Sequence, residues 1–425
     1  MSTLKPVPLP PPRPVWLPAL VATLLVVVAG MTAAHVYVGR QIARHPQRFN
    51  VYPLPDKLLG LVLQRQAFTD PALLPVYGSS ELSQPQTNRA DDFFRAQPAG
   101  FGAFLIGNPG ETCLMIATKI AAADPQAVRG RKAVVFLSPG WFVAPELDHP
   151  GFGVNFSPLH GGVFAFESAH LSPLLRQDLS RRLLDYHDIL SKYPLLKAGL
   201  NCSAAGTTAQ GALLSVITPL GAVHNRVQRE LDYSRLGFWL WTTNPRVSPS
   251  TTVGVRRPGR IDWEAKIRDA DAISRRQPTG TSYCVGPRTG FDDRQLAAFQ
   301  DSKHPDRTPD ENFTRLCAAS KEWTDYHLLL RTAKELKIEL LVICQPLNAR
   351  FGDLQGISQV ARNAFYGRLR SETAALDVPL LTYPAEGEEA RHFQDAGHPT
   401  ALMWLFYDKA LDAFYHQQPT RKSSS

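Results

Sequence analysis

The stretch "LLPVYGSSELS" (73–83) decides the fold. An apolar run stops at Gly78, and Ser79, Ser80 and Glu81 follow. A short, non-alternating apolar run that ends at a turn signal fits a strand buried on both faces of a parallel sheet. Three more runs share this form: "AVVFL" (133–137), "ELLVI" (339–343) and "VPLL" (378–381). Helical patterns stand beside them. "EWTDYHLLLRTAKELKI" (322–338) precedes the third run, "ISQVARNAFYGRLRSETAALD" (357–377) joins it to the fourth, and "TALMWLFYDKALDAFYH" (400–416) closes the pattern. Such alternation implies right-handed crossovers and a doubly wound α/β layer.

The interval 150–320 breaks the alternation and reads as a mainly helical insertion. Within it, "LSPLLRQDLSRRLLDYHDILSKYPLL" (171–196) predicts an amphipathic helix ended near Pro194. The segment 211–241 predicts one long helix, or two joined at Pro219. The expected organisation is a Pro-rich stub (1–14), a transmembrane signal-anchor (15–39), a linker (40–70), the α/β domain with its insertion (71–416) and a polar tail (417–425).

The anchor rests on "VWLPALVATLLVVVAGMTAAHVYVG" (15–39), which holds no Asp, Glu, Lys or Arg. It is long enough to cross a bilayer and too long for a typical signal-peptide core. Lys5 and Arg13 precede it, while Arg40, Arg44 and Arg48 follow it, so the charges do not favour an external position for the large domain. The net charge is +8, but the basic residues are scattered, without a dense block interleaved with aromatics, which argues against nucleic acid as a partner. The five cysteines are widely spaced and form no CxxC, so no structural zinc site is indicated.

Open parallel sheets bind ligands beyond the carboxyl ends of their strands. Beyond these four runs come "GSSEL", "SPGWF" (138–142), "CQPLNARFGD" (344–353) and "TYPAEGEEARHFQDAGHPT" (382–400). A serine is a weak nucleophile until a base takes its proton. His398 is the candidate base, and Asp395, three residues earlier, can fix its tautomer. Pro399 is expected to hold His398 at the start of the last helix. Candidate oxyanion donors are the N–H of Ser80, an N–H of the Gly140 turn and the amide of Asn348. Taken singly, these residues have plainer uses: either serine can cap a helix, Asn348 can form a turn, and Trp141 can pack in a core. His392, Asp395 and His398 also suggest a metal, but no second cluster supports it, and neither metal nor organic cofactor is expected.

The blocks "YGSSEL", "LSPGWF", "RRLLDY", "PLNARFGD" and "DAGHPT", in this order behind one N-terminal span, resemble the D-alanyl-transfer family DltD, within the SGNH/GDSL hydrolase-like superfamily. The resemblance covers about 50–415 and is sparse across 200–320. It implies an SGNH-like fold and a triad of Ser80, Asp395 and His398, with Gly78, Ser79, Glu81 and Trp141 in support. It also implies a membrane-anchored, extracytoplasmic acyltransferase or esterase-like protein that helps place D-alanyl esters on an envelope polymer such as teichoic acid. The partners it implies are a membrane-bound O-acyltransferase, a D-alanyl carrier protein and a glycopolymer acceptor. An O-acetyltransferase or deacetylase of a secreted polysaccharide, and a non-catalytic adaptor, are the rival readings.

Overall fold

The computed structural model describes residues 16–44, 60–83, 87–243, 260–276 and 307–417. The Pro-rich stub, most of the linker, residues 244–259 and 277–306 with Cys284, and the tail beyond 417 lie outside the described residues. Five strands form one parallel sheet: β1 (Leu73–Gly78), β2 (Gly102–Gly107), β3 (Lys132–Leu137), β4 (Glu339–Cys344) and β5 (Leu380–Thr382). Their order is β2-β1-β3-β4-β5. Four match the apolar runs. The fifth, β2, is "GAFLIG", bounded by glycines and free of Val, and it occupies an edge.

The side chains alternate between two cores, as a strand buried on both faces requires. Leu73 and Tyr77 of β1 join Val135 of β3 and Val342 of β4 on one face. Leu74 and Val76 join Val134, Phe136 and Ile343 on the other. The first face is covered by the helices Cys113–Ala121 and Glu322–Glu335, the second by Ala90–Ala96 and the closing helix Ala401–His416.

Strand order reverses between β1 and β3, which makes their carboxyl ends the switch point where open α/β sheets bind ligands. The β1–β3 ladder runs over Val76 and Tyr77, just past Pro75, which has no N–H to give. Pairing with β2 carries β1 on to its end, where Gly78 lies opposite Gly107. The two backbones are so close there that a β-carbon on residue 107 would stand 2.0 Å from the Gly78 carbonyl oxygen.

Between β3 and β4 the described residues form helices and turns. The predicted helix at 171–196 is in fact three pieces: Pro173–Leu184, His187–Leu190 and Pro194–Ala205. Pro194 begins a helix rather than ending one, because the first helical position needs no N–H partner. The same device starts Pro158–Glu167 and Pro173–Leu184, each capped by a serine. The long helix is single, Thr208–Thr243, and runs through Pro219.

The N-terminal helix, Trp16–Arg44, is long and apolar enough to cross a membrane. Its side chains are exposed over the apolar stretch, and only Val38 and Ile42, near its end, are buried. We expect Gly107→Ala to lower stability by about 1–3 kcal/mol, since a backbone clash leaves no side chain free to yield. A reduced denaturation midpoint with an unchanged slope would bear this out.

Candidate active site

After Gly78 the chain turns at once into a 3-10 turn, Ser80–Leu82. The turn separates the two serines. Ser79 is buried, and its Oγ donates to the Asn108 carbonyl at 3.3 Å and accepts from the Gly110 N–H at 3.0 Å. Ser80 is half-buried and faces the opposite way, with its Oγ 2.7 Å from His398 Nε2. Glu81 is buried beneath them, and its Oε1 accepts the Ser79 N–H at 2.6 Å. A β-carbon on residue 78 would lie 2.2 Å from that same oxygen, so only glycine lets the glutamate fold back under the turn.

His398 and Asp395 come from the loop before the closing helix. His398 Nδ1 is 2.6 Å from Asp395 Oδ2, while Oδ1 accepts the N–H groups of Gly397 and His398 at 2.9 and 2.8 Å. The loop is pinned by a bridge between Phe393 and Pro399 and by the Gln394 N–H on the His398 carbonyl at 2.9 Å. Pro399 does not start the helix, as the sequence had suggested; Thr400 caps it and Pro399 belongs to the bridge. With its proton on Nδ1, His398 donates to Asp395 and leaves Nε2 to accept from Ser80.

Burial opposes the charge of Asp395, but the hydrogen bonds from the His398 ring and from two backbone N–H groups prevail and hold its carboxyl below the usual range. The hydrogen bond to Asp395 raises His398; burial opposes this, and the charges of Asp395 and Glu81 add to the rise. Burial pushes Glu81 up against the backbone N–H groups and the Gln345 side chain that stabilise its anion.

The other candidates are less direct. Asn348 caps the helix Ala349–Leu354 by accepting the Phe351 N–H, and its Nδ2 donates to the Asp395 carbonyl at 3.2 Å. It therefore braces the Asp395 loop. The N–H groups of Gly140 and Trp141 both turn inward, to Ser138 Oγ at 3.3 Å and to the Ser138 carbonyl at 3.1 Å. Trp141 packs on the core. His392 is buried with Nδ1 on the Glu386 carbonyl and its ring against Phe406. Among the described residues no group of three or more His, Cys, Asp or Glu could hold a metal ion.

Sequence reasoning passed over the turn Asn108–Glu111, which follows β2 and holds Ser79 in place, and Gln345, which faces Glu81. The signal was present: "FLIG" before "NPGE" repeats the pattern of an apolar run that stops at a glycine, already seen in "PVYG".

A parallel α/β sheet carrying a hydrogen-bonded Ser-His-Asp set at its switch point defines the general class: proteins with the geometry of a serine-hydrolase triad. The family model described as "DltD protein" matches residues 54–416, and the chain belongs to that family. It is 25% identical over 366 residues to Protein DltD of Bacillus subtilis (strain 168), covering 85% of this chain and 87% of the relative. It is 22% identical over 406 residues to Protein DltD of Staphylococcus aureus (strain NCTC 8325 / PS 47), covering 95% and 96%. Identity to Protein DltD of Lacticaseibacillus rhamnosus is 23% over 404 residues, covering 93% and 89%.

Proton abstraction needs neutral His398, so labelling of Ser80 by a fluorophosphonate should speed up as pH rises through an apparent value above the ordinary histidine value of about 6.5. Glu81→Gln keeps an acceptor for the Ser79 N–H but removes a charge, and should move that midpoint down. A midpoint unchanged by Glu81→Gln would refute the electrostatic link between Glu81 and His398.

Proposed function

We propose that this chain is a serine-dependent acyltransferase or esterase-like protein that takes part in D-alanyl ester transfer onto an envelope polymer such as teichoic acid. The observation that carries the reading is the continuous chain of hydrogen bonds from Ser80 through His398 to Asp395. Membership of the DltD family supports the D-alanyl chemistry and the extracytoplasmic position of the domain.

His398 Nε2 takes the Ser80 hydroxyl proton as Oγ bonds to the acyl carbonyl carbon. The tetrahedral oxyanion then collapses, and its bond to the leaving group breaks. His398 returns the proton to that group, leaving an ester on Ser80. An acceptor hydroxyl next gives its proton to His398 and attacks the ester, and the released Ser80 alkoxide recovers that proton. Asp395 stabilises the imidazolium in both halves. The Ser80 N–H and the side-chain amide of Asn348 are the proposed oxyanion donors. The Gly140 turn is the weaker choice, because its N–H groups already cap their own serine.

A D-alanyl ester adds an ammonium group and lowers the negative charge of its polymer. In this reading the acyl group comes from a D-alanyl carrier by way of a membrane-bound O-acyltransferase, and the helix Trp16–Arg44 holds the domain beside that partner.

The test is ester-linked D-alanine in the envelope of a deletion strain carrying variants. Ser80→Ala, Asp395→Ala and His398→Ala should each lose it. The purified Asp395→Asn protein should label at Ser80 roughly 10³–10⁴-fold more slowly. Full D-alanine with Ser80→Ala, but none with a chain lacking the anchor, would make the protein an adaptor. Unchanged D-alanine in the deletion strain would remove D-alanyl transfer altogether.

A further inference from the structure

The long helix Thr208–Thr243 presents an apolar stripe that nothing covers among the described residues. Leu213, Val216, Leu220, Val223 and Val227 recur at alternating three- and four-residue steps, so they share one face. All five are exposed, Val216 at 75% and Val223 at 62%. Phe238 and Trp241 continue the same face at the end of the helix, and Trp241 is 76% exposed. From Leu213 to Trp241 the stripe spans about 42 Å, interrupted by the half-buried Leu231 and Ser234 beside the anchor. The opposite side of the helix is occupied: Gly221 lies on Phe166, and Asn225 and Arg229 bind Glu167.

Where this stripe lies follows from the anchor. The apolar surface of Trp16–Arg44 extends to Val36 and Tyr37, and the charges begin at Arg40. From Trp16 to Val36 is about 30 Å, the thickness of a hydrocarbon core. The long helix meets the anchor at that upper boundary. Gly237 lies against Ala34 and Val38, while Glu230 bonds His35 Nδ1 at 2.8 Å and the Tyr233 ring stands 4.1 Å from the His35 ring. An antiparallel pairing of the two helices would put Glu230 opposite residue 43, about 12 Å along the axis from His35. The bond to His35 excludes that arrangement. A parallel pairing would put Glu230 opposite residue 29, about 9 Å to the other side of His35. The contacts of Glu230, Tyr233 and Gly237 all fall within Ala34–Val38, so the long helix crosses the anchor near that boundary instead of running along it in either direction.

We propose that the stripe Leu213–Trp241 lies in the interface of the bilayer that the anchor crosses, so that the domain rests on the lipid along one face as well as hanging from one helix. The composition suits this occupant. Phe238 and Trp241 are the aromatic types that favour the headgroup level. Exposed Arg226 and Arg235 stand on opposite flanks of the stripe, where cationic side chains reach lipid phosphates. The inference rests on the anchor reading of Trp16–Arg44 and is independent of the triad.

The test places a photoreactive benzoylphenylalanine in the full-length chain at Val216, Val223, Leu24 or Val360, in phosphatidylethanolamine–phosphatidylglycerol vesicles. Leu24, in the anchor, is the lipid control, and Val360, exposed on a different helix, is the water control. The expected result is lipid adducts at Val216 and Val223 in yields comparable with Leu24, and none at Val360. Adding Leu220→Glu and Val227→Glu should abolish the Val216 adduct while Ser80 still labels with a phosphonate. A dimer adduct between two copies at Val223, or yields no higher than at Val360, overturns the proposal.

Discussion

Two backbones touch at the end of β1 and β2, and the candidate site depends on that contact. No side chain fits between Gly78 and Gly107. Because the strands can close to that distance, the chain leaves β1 in a tight turn. Ser79 then falls to the β2 side, and Ser80 falls to the side of the closing helix. The choice between two chemically identical serines is thus made by main-chain packing.

The same turn holds an acid where an acid is costly. Glu81 is buried, and burial alone would drive it toward the neutral form. Three kinds of contact oppose that: backbone N–H groups, the Gln345 amide and the positive charge that His398 acquires. The last is the informative one, because the glutamate and the histidine each favour the other's charged form. A buried anion under Ser80 therefore steadies the imidazolium from below, while Asp395 does so from the loop. The two carboxylates reach His398 from opposite ends of the sequence and differ in how they are held.

Much of this was legible in the residues. Val- and Leu-rich runs marked β1, β3 and β4 because both faces of each are buried, and such burial selects apolar side chains without alternation. The fourth run, "VPLL", was expected to be buried in the same way, but its strand β5 is a half-exposed edge with Leu381 open to solvent. Asp395 and His398 stood out only through their placement: polar groups follow successive strands on the one edge where an open parallel sheet binds ligands. β2 escaped notice because "GAFLIG" is an edge strand that begins and ends in glycine, with fewer of the branched side chains that advertise a strand. Pro194 was misread because proline has one meaning inside a helix and the opposite one at its first turn. The inward-turned N–H groups of Gly140 and Trp141 could not have been foreseen. Their orientation is set by Ser138, and a residue's spacing carries no record of where its amide points.

Ser80 and His398 are 318 residues apart in the chain, yet they share one hydrogen bond. Whatever crosses a membrane or leaves a ribosome first carries the serine, and the histidine arrives among the last residues of the domain. Until the segment from Phe393 through the closing helix has docked, the Ser80 hydroxyl lacks its His398 partner. An incomplete chain therefore holds the serine without the neighbour that the finished fold gives it. The Ser80–His398 hydrogen bond thus reports that the whole domain has closed.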